Sequence, residues 1–318
     1  MGKVAFVFPG QGSQKTGMGR SWSDGFPVAR QAFAEADAAL GESLSGLCFD
    51  GPDERLQLTA NTQPAILAVS VAIARVLWAE GLHPDIVAGH SLGEYSALVA
   101  AKALDFGDAV RTVRRRGELM QEAVPVGVGA MAAILGLEAD IVREVAAAAS
   151  QGDEVCAVAN YNSPEQTVIA GHKAAVERAM ALAKERGAKR ALPLPVSAPF
   201  HSPLMRPARE GLAPTLAATR FADPATPLVC NIDAAPVAGG DAARDALVRQ
   251  IDGPVRWVES VRYMAEQAGV DRFVEVGPGA VLCGLIKRIA PQAKTLSLAE
   301  PANLDALHEL MANTTGEG

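Results

Sequence analysis

The sequence lacks the cysteine pattern of a zinc protein or a disulfide-stabilised secreted domain. It has only four cysteines in 318 residues, and they are far apart, with no Cys-X-X-Cys pair. Such spacing is typical of buried thiols in a reducing compartment and argues against a structural zinc site. We therefore predict no metal centre.

Long apolar runs are also missing. The beginning, "MGKVAFVFPGQGSQ", has an apolar run of only five residues before a turn, which is too short for the core of a signal peptide. The stretch "AILAVSVAIARVLW" is interrupted by Arg75 and is short for a membrane span. We expect a cytoplasmic protein that has no membrane partner.

Positive charge is not in excess, since the formal net charge is -7. Nucleic acid binding needs a basic face, so this balance argues against a nucleic acid partner. An anionic carrier protein would need a local basic patch. Two clusters of basic residues could supply it: Arg111, Arg114, Arg115 and Arg116, and Lys184, Arg186, Lys189 and Arg190. The alternative is that these charges are solvated helix faces. No assembly signal such as a coiled coil is apparent, and a monomer is expected.

The glycine-rich turn "GQGSQKTGMG" lacks the features of a nucleotide site. Lys15 stands where a dinucleotide fingerprint has its third glycine, and the Gly-Lys-Ser/Thr ending of a P-loop is missing. The turn follows an apolar run over 3–8 that predicts a buried strand of a parallel sheet. Helices are predicted over about 27–40 and 62–80, with Pro64 in the first turn of the second helix.

The order of the later elements predicts an inserted domain. Between 126 and 197 the pattern is βαββαβ, the order of a ferredoxin-like unit, with turn and breaker residues at both edges. The fold class is therefore α/β. We expect an α/β-hydrolase-like catalytic domain with a parallel sheet over 1–125 and 198–318, and a small ferredoxin-like domain over 126–197. The C-terminal "MANTTGEG" is expected to be frayed.

The main chemical signal is the segment Gly89-His90-Ser91-Leu92-Gly93. It lies between an apolar strand and an alanine-rich helix, which is the context of a nucleophile elbow, and its two glycines remove side chains that would crowd the turn. A serine becomes a nucleophile only when a base takes its proton. The alternative is that Ser91 caps the following helix, a position that serine favours.

Elimination among the five histidines favours His201 as the base. His90 adjoins Ser91, and neighbouring side chains on a turn diverge. Three others lie in a connection, in the small domain and in a terminal helix: His83, His172 and His308. The segment "LPVSAPFHSPLM" has prolines on both flanks and apolar residues around the ring of His201, which favour a fixed imidazole. An ordinary loop histidine is the alternative, and no acidic residue nearby is an obvious third member of a triad.

Taken together, these motifs resemble the malonyl-CoA:acyl carrier protein transacylases of fatty acid synthesis. The resemblance covers nearly the whole chain, in order. It rests on "FVFPGQGSQ", "TQPA", "GHSLGEYSAL", "RRRGELMQEAVPVGVGAMAAILG", "NYNSPEQTVIAG", "SAPFHSPLM", "NIDA", "QIDGPVRWVESV" and "EVGPGAVLCGLIKRI".

The resemblance implies a two-step, ping-pong acyl transfer with no bound cofactor. Ser91 would attack the malonyl thioester and release coenzyme A, so that the coenzyme A thioester is a substrate. The phosphopantetheine thiol of holo acyl carrier protein would then collect the malonyl group. His201 would be the general base for each attack and the general acid for each leaving thiolate.

The resemblance also implies roles for other residues. Backbone amides of Gln11 and Leu92 would form the oxyanion hole. Arg116 would bind the malonyl carboxylate, because a guanidinium can bond both oxygens at once. Its neighbours Arg114 and Arg115 are assigned to an exposed basic run.

Further residues are implied around the histidine and the cleft. The main-chain carbonyl of Gln250 would orient His201, which would explain the missing acid. Polar and apolar cleft positions are matched by Gln63, Asn160, Phe200, Met120 and Met131. Phe200 occupies the position where related acyltransferase domains that select malonyl tend to have phenylalanine, which fits a small acyl pocket.

Three alternatives share parts of this pattern. A serine hydrolase or thioesterase would use Ser91 and His201 but would release free acid, and it has no need of a buried cation such as Arg116. A discrete acyltransferase of a polyketide pathway would use the same residues. A non-catalytic module that docks a carrier protein would not acylate Ser91.

Overall fold

The computed structural model describes residues 2–196 and 198–312, which form two β-sheets with helices packed against them. The strands are β1 (Lys3–Phe8), β2 (Ile86–Gly89), β3 (Gly129–Leu135), β4 (Cys156–Ser163), β5 (Gln166–His172), β6 (Arg190–Pro193), β7 (Leu228–Val229), β8 (Val270–Glu275) and β9 (Lys294–Ser297). The α-helices are α1 (Arg20–Gly25), α2 (Pro27–Leu40), α3 (Leu44–Asp50), α4 (Asp53–Leu56), α5 (Thr59–Ala79), α6 (Gly93–Ala100), α7 (Phe106–Glu122), α8 (Ala139–Ala149), α9 (Lys173–Glu185), α10 (Arg206–Ala218), α11 (Gly240–Gln250), α12 (Trp257–Arg262), α13 (Val281–Ile289) and α14 (Leu304–Ala312).

The larger sheet is parallel and has the strand order β7-β2-β1-β8-β9. Its central strand β1 is buried on both faces, as its continuous apolar run predicts. Val4, Phe6 and Phe8 enter the larger core, whereas Ala5 and Val7 enter a second core on the other face. The predicted strand over 3–8 and the predicted helix over 27–40 are confirmed by β1 and α2.

The smaller sheet is antiparallel and has the order β4-β5-β3-β6. Its elements follow the chain order βαββαβ, with α8 and α9 packed together over a separate apolar core. The predicted α/β fold class, with a parallel sheet and a separate ferredoxin-like unit, is confirmed. The elements of this unit lie within 129–193, and the predicted domain boundary at 197 lies outside the described residues, as do 313–318 at the predicted frayed end.

Helix α5 corrects one prediction. It begins at Thr59 rather than at 62, so Pro64 lies inside the helix and not in its first turn. An interior proline removes one helical hydrogen bond, but α5 is buried along nearly its whole length against α2 and α7, and this packing outweighs the local penalty. The helix is long and apolar enough to cross a membrane, yet 83% of its apolar window is buried inside the protein. It is therefore the core helix of this fold.

The parallel sheet brings two loops together at one edge. Phe8 at the end of β1 pairs with Gly89 at the end of β2. Because parallel strands end at the same edge, the loops that follow them lie side by side. One loop contains Gln11 and the other contains Ser91, so the two segments singled out in the sequence meet there.

Candidate active site

The turn that carries Ser91 is tight because glycine occupies both of its flanks. Ser91 has φ 52°, a left-handed conformation that is uncommon for a residue with a side chain. A Cβ atom at Gly89 would lie 1.9 Å from the carbonyl carbon of Gly93, and one at Gly93 would lie 2.0 Å from the carbonyl oxygen of Phe8. No other residue fits at either position without moving the backbone, so the sequence Gly-X-Ser-X-Gly fixes the turn.

Side-chain amides hold the backbone of Ser91 in this conformation. The Ser91 N–H donates to Asn231 Oδ1 at 2.7 Å, and the Ser91 carbonyl accepts from Gln250 Nε2 at 3.0 Å. Asn231 Nδ2 also donates to the carbonyl of Gly89 at 2.6 Å. The N-cap of α6 is Leu92, with no side-chain capping bond, so the Ser91 hydroxyl does not cap this helix.

The Ser91 hydroxyl faces the imidazole of His201. Ser91 Oγ lies 2.7 Å from His201 Nε2, and His201 Nδ1 lies 2.8 Å from the main-chain carbonyl of Gln250. A carbonyl only accepts, so Nδ1 carries the proton and Nε2 is free to accept the serine proton. Burial, reinforced by the charge of Arg116, lowers the pKa of His201 to about 3. The imidazole is therefore neutral at neutral pH.

Arg116 is a buried cation beside the serine. Its side chain is almost fully enclosed, and the residue is 1% exposed. Nη1 donates to Gln63 Oε1 at 2.8 Å, while Nη2 donates to Gln250 Oε1 at 2.9 Å and to Ser91 Oγ at 3.3 Å. The guanidinium also lies over the ring of Tyr95, 5.6 Å from its centroid. No carboxylate forms an ion pair with it in the described part of the chain, so it can receive an anionic group.

The neighbours of Arg116 on α7 behave differently. Helical spacing puts Arg116 on the buried face with Val113, Gly117 and Met120. The other arginines of the run pair with carboxylates nearer the surface: Arg111 with Asp108, Arg114 with Glu42, and Arg115 with Glu118. The periodicity of α7 was therefore a signal, available in the sequence, that separates Arg116 from the basic run.

Two backbone N–H groups near Ser91 are candidates for an oxyanion hole. Leu92 lies at the start of α6, and Gln11 lies on the turn after β1. Neither N–H has a hydrogen-bond acceptor in the described part of the chain. Unpaired donors at a helix start are suited to bind a developing negative charge.

These groups enclose a cavity of about 180 Å³. All but one of the residues predicted for the site line this cavity: Gln11, Gln63, Ser91, Leu92, Arg116, Met120, Met131, Asn160, Phe200 and His201. The exception is Gln250, which contacts Arg116 and His201 from outside the cavity. Among residues 2–196 and 198–312, no three His, Cys, Asp or Glu side chains lie close enough to share a metal ion.

Three residues that hold the site together, Glu94, Asn162 and Asn231, were not predicted from the sequence. Glu94 is buried on α6, and its Oε2 accepts from the N–H of Asn231 at 2.9 Å. Asn162 on β4 reaches across from the smaller sheet, with Oδ1 2.8 Å from His90 Nε2. An acidic residue amid the apolar residues of α6 was one available signal, but the partners lie far away in sequence.

Comparisons with known proteins agree on one family. The sequence profile of the acyl transferase domain family matches residues 5–304. The chain is 54% identical over 312 residues to the malonyl CoA-acyl carrier protein transacylase of Escherichia coli strain K12, which covers 98% of this chain and 100% of that protein. The crystal structure of an acyl carrier protein S-malonyltransferase from Vibrio cholerae has a TM-score of 0.94 and 52% identity, covering 96% of this chain and 99% of the other. A malonyl-transacylase in complex with its type II PKS acyl carrier protein has a TM-score of 0.94 and 48% identity, with coverage of 97% and 99%.

Proposed function

We propose that this chain, which belongs to the acyl transferase domain family, transfers malonyl groups from malonyl-CoA to acyl carrier protein in fatty acid biosynthesis. The observation that carries the proposal is the buried guanidinium of Arg116, 3.3 Å from the hydroxyl of Ser91. A malonyl group esterified to Ser91 places its free carboxylate within reach of this cation, and a guanidinium binds both oxygens of a carboxylate. Acetyl and longer fatty acyl groups have no such charge.

The first half-reaction acylates Ser91. His201 Nε2 takes the hydroxyl proton as Ser91 Oγ attacks the thioester carbonyl of malonyl-CoA. The tetrahedral oxyanion accepts bonds from the N–H groups of Leu92 and Gln11. When the carbon–sulfur bond breaks, the protonated His201 gives its proton to the leaving thiolate, and coenzyme A departs.

The second half-reaction reverses these roles with a different thiol. The phosphopantetheine thiol of the carrier protein gives its proton to His201 and attacks the ester carbonyl. The bond to Ser91 Oγ then breaks, and His201 returns a proton to the serine. The carbonyl of Gln250 keeps Nδ1–H in place throughout, so this chain needs no carboxylate to orient the histidine.

Arg116 also links recognition to basicity. Its charge is one cause of the low pKa of His201, after burial. A malonyl carboxylate paired with Arg116 offsets that charge, so the pKa of His201 rises when the correct substrate is bound. Bound malonyl therefore makes His201 a stronger base, in addition to being held by Arg116.

The cavity wall favours a short acyl group. Phe200, Met120 and Met131 line a space of about 180 Å³ together with the polar side chains of Gln63 and Asn160. The apolar side chains limit the length of the acyl group, while Gln63 also holds Arg116. We place the reaction in the cytoplasm, in keeping with four cysteines that are buried free thiols.

Transfer to a polyketide carrier is a second candidate, because a relative of 48% identity has been solved with its type II PKS carrier protein. The chemistry at Ser91 is the same for both carriers. Rates with purified holo carrier proteins of the two kinds distinguish them, and the proposal expects the faster transfer with the fatty acid carrier.

Mass spectrometry of the quenched protein tests the function. Malonyl-CoA should add one malonyl group to the peptide that contains Ser91, and holo carrier protein should remove it as malonyl-carrier. Acetyl-CoA in parallel should give little adduct. An unmodified Ser91 peptide during turnover would contradict the proposal.

A further inference from the structure

Glu94 is a buried carboxylate that none of the steps above uses. It lies on α6, three residues after Ser91, and is 1% exposed. A single oxygen, Oε2, accepts from the N–H of Asn231 at 2.9 Å and from Gln250 Nε2 at 2.9 Å. A buried carboxylate is unfavourable unless it is bonded in this way, so its position invites a functional explanation.

The side chain of Gln250 connects Glu94 to the substrate cation. Its Nε2 donates to Glu94 Oε2 and, at 3.0 Å, to the carbonyl of Ser91. Its Oε1 accepts from Nη2 of Arg116 at 2.9 Å. The two ends of one amide therefore face two groups of opposite hydrogen-bonding character.

This arrangement fixes which way the amide points. If the Gln250 amide turned over, Oε1 would face the acceptor Glu94 and Nε2 would face the donor Arg116, so both contacts would become unfavourable. Glu94 thus keeps Oε1 toward Arg116. Both bonds to Glu94 end on Oε2, so a proton on Oε1 leaves them intact. Burial raises the pKa of Glu94 to about 7, and the arrangement holds in either protonation state.

The orientation of the Arg116 guanidinium depends on two hydrogen-bond acceptors. Gln63 Oε1 holds Nη1 at 2.8 Å, and Gln250 Oε1 holds Nη2 at 2.9 Å. These two acceptors set the plane of the guanidinium, with Nη2 beside Ser91 Oγ. A carboxylate bound bidentately requires that plane to be fixed.

We propose that Glu94 is a positioning residue for malonyl recognition, acting through the Gln250 amide to hold Arg116 in the orientation that binds the malonyl carboxylate. The inference rests on the proposed function, since it concerns selection of malonyl by Arg116. Glu94 touches no reacting atom, and its effect is on the choice of acyl group.

The test compares kcat/KM for malonyl-CoA with kcat/KM for acetyl-CoA in Glu94→Ala and Glu94→Gln. Glu94→Ala removes the acceptor and should lower the malonyl-to-acetyl ratio by about tenfold, the effect of losing one bond to a charged group. Glu94→Gln retains a carbonyl oxygen that can replace Oε2, and its ratio should stay within about threefold of the unchanged protein.

A second buried carboxylate supplies the matched control. Glu275 is 0% exposed and accepts from the N–H groups of Leu282 and Cys283, with no bond to Gln250 or Arg116. Glu275→Ala should lower stability but leave the malonyl-to-acetyl ratio unchanged. Thermal unfolding of each variant checks that the compared proteins are folded.

A double variant separates this inference from the proposed function. Adding Glu94→Ala to Arg116→Ala should not change the ratio further, because the group on which Glu94 acts is gone. An equal loss of malonyl and acetyl transfer in Glu94→Ala, or a ratio lost as strongly in Glu94→Gln, would overturn the inference. If Arg116→Ala itself retains the full malonyl preference, the proposed function fails instead. Should Glu94→Ala not fold, Gln250→Leu removes the same amide and keeps the main-chain carbonyl, and it should lower the ratio likewise.

Discussion

The two sheets contribute to one cavity in different ways. The loops and helices around the parallel sheet supply the paired and charged groups, among them Ser91, His201 and Arg116. The antiparallel sheet supplies wall residues, chiefly Met131 and Asn160. The groups whose positions must be precise come from the larger domain, while the smaller one shapes the space in front of them.

The backbone shows the same difference. Ser91 and His201 both have positive φ values, 52° and 56°, although neither is glycine. No residue other than glycine has a positive φ in the antiparallel unit over 129–193, all of which is described. Uncommon conformations persist where surrounding contacts enforce them. Lys102 and Ala234, which also belong to the larger domain, have positive φ as well, so two of these four residues are the proposed reacting pair.

The largest loss of transfer activity is expected at Ser91, which belongs to the domain with the parallel sheet. Ser91→Ala removes the acyl acceptor and should lower transfer by about 10⁴-fold or more. Ser96→Ala is the matched control, since Ser96 lies on the adjacent helix α6, is fully buried, and its Oγ has no hydrogen-bond partner in the described part of the chain. Initial rates of malonyl-carrier formation check both. Substantial transfer by Ser91→Ala would show that Ser91 is not the nucleophile.

A smaller effect is expected at the cation. Arg116→Ala should lower kcat/KM for malonyl-CoA by about 10²-fold while acetyl transfer falls much less, because only malonyl pairs with the guanidinium. Arg115→Ala changes the adjacent arginine, which pairs with Glu118 near the surface, and should have little effect on either substrate. Similar losses in the two variants would contradict the distinction between the buried and the exposed arginine.

The antiparallel sheet should contribute less to the transfer rate than Ser91 or Arg116. Asn162→Ala removes the bond from β4 to His90, next to the nucleophile, and should lower transfer by about three- to tenfold, since it perturbs the position of the turn without removing a reacting group. Kinetics with both acyl-CoA substrates should show a similar loss for each. A loss as large as that of Ser91→Ala would mean that the smaller sheet takes part in the chemistry itself.

The last prediction concerns the pH dependence of stability rather than catalysis. The pKa of Glu94 is 4.5 as an ordinary group and about 7 in the fold, because of burial. Its contribution to stability is thus complete below pH 4.5 and is lost as the pH rises through 7. Glu94→Gln stays neutral, so its free energy of unfolding relative to the unchanged protein should rise by on the order of 2 kcal/mol from about pH 5 to about pH 9. Urea unfolding across this range checks it, and a pH-independent difference would contradict the burial argument. His201 contributes with the opposite sign, losing stability as pH falls from 6.5 toward 3, but this is common to both proteins and cancels.

Local patterns in the sequence were enough to predict the strand, turn and helix around Ser91, and the βαββαβ order of the smaller unit. They were not enough to place the start of α5, where packing against α2 and α7 overrides the preference of Pro64 for a first turn. Propensity is a local quantity, whereas burial depends on the assembled fold.

The site itself was predictable to different depths. His201 could be reached by elimination, and Arg116 was favoured only by the family resemblance, although the helical spacing of α7 also indicates its burial. The roles of Glu94 and Asn231 could not be predicted from the residues next to them in the sequence. The bond between Glu94 and Asn231 spans 137 positions of the sequence, and the bond between Ser91 and Asn231 spans 140. Such contacts exist only once the chain has folded.

Malonyl transfer is tested most directly by following the malonyl group once it is on Ser91. Protein loaded with malonyl-CoA and freed of excess donor is mixed with holo carrier protein or with buffer, and the intact mass is recorded over time. We expect holo carrier protein to remove the malonyl group at least about 100-fold faster than water does, with malonyl-carrier as the product. Loss at the same rate in both mixtures, with free malonate as the product, would contradict transfer and identify a hydrolase.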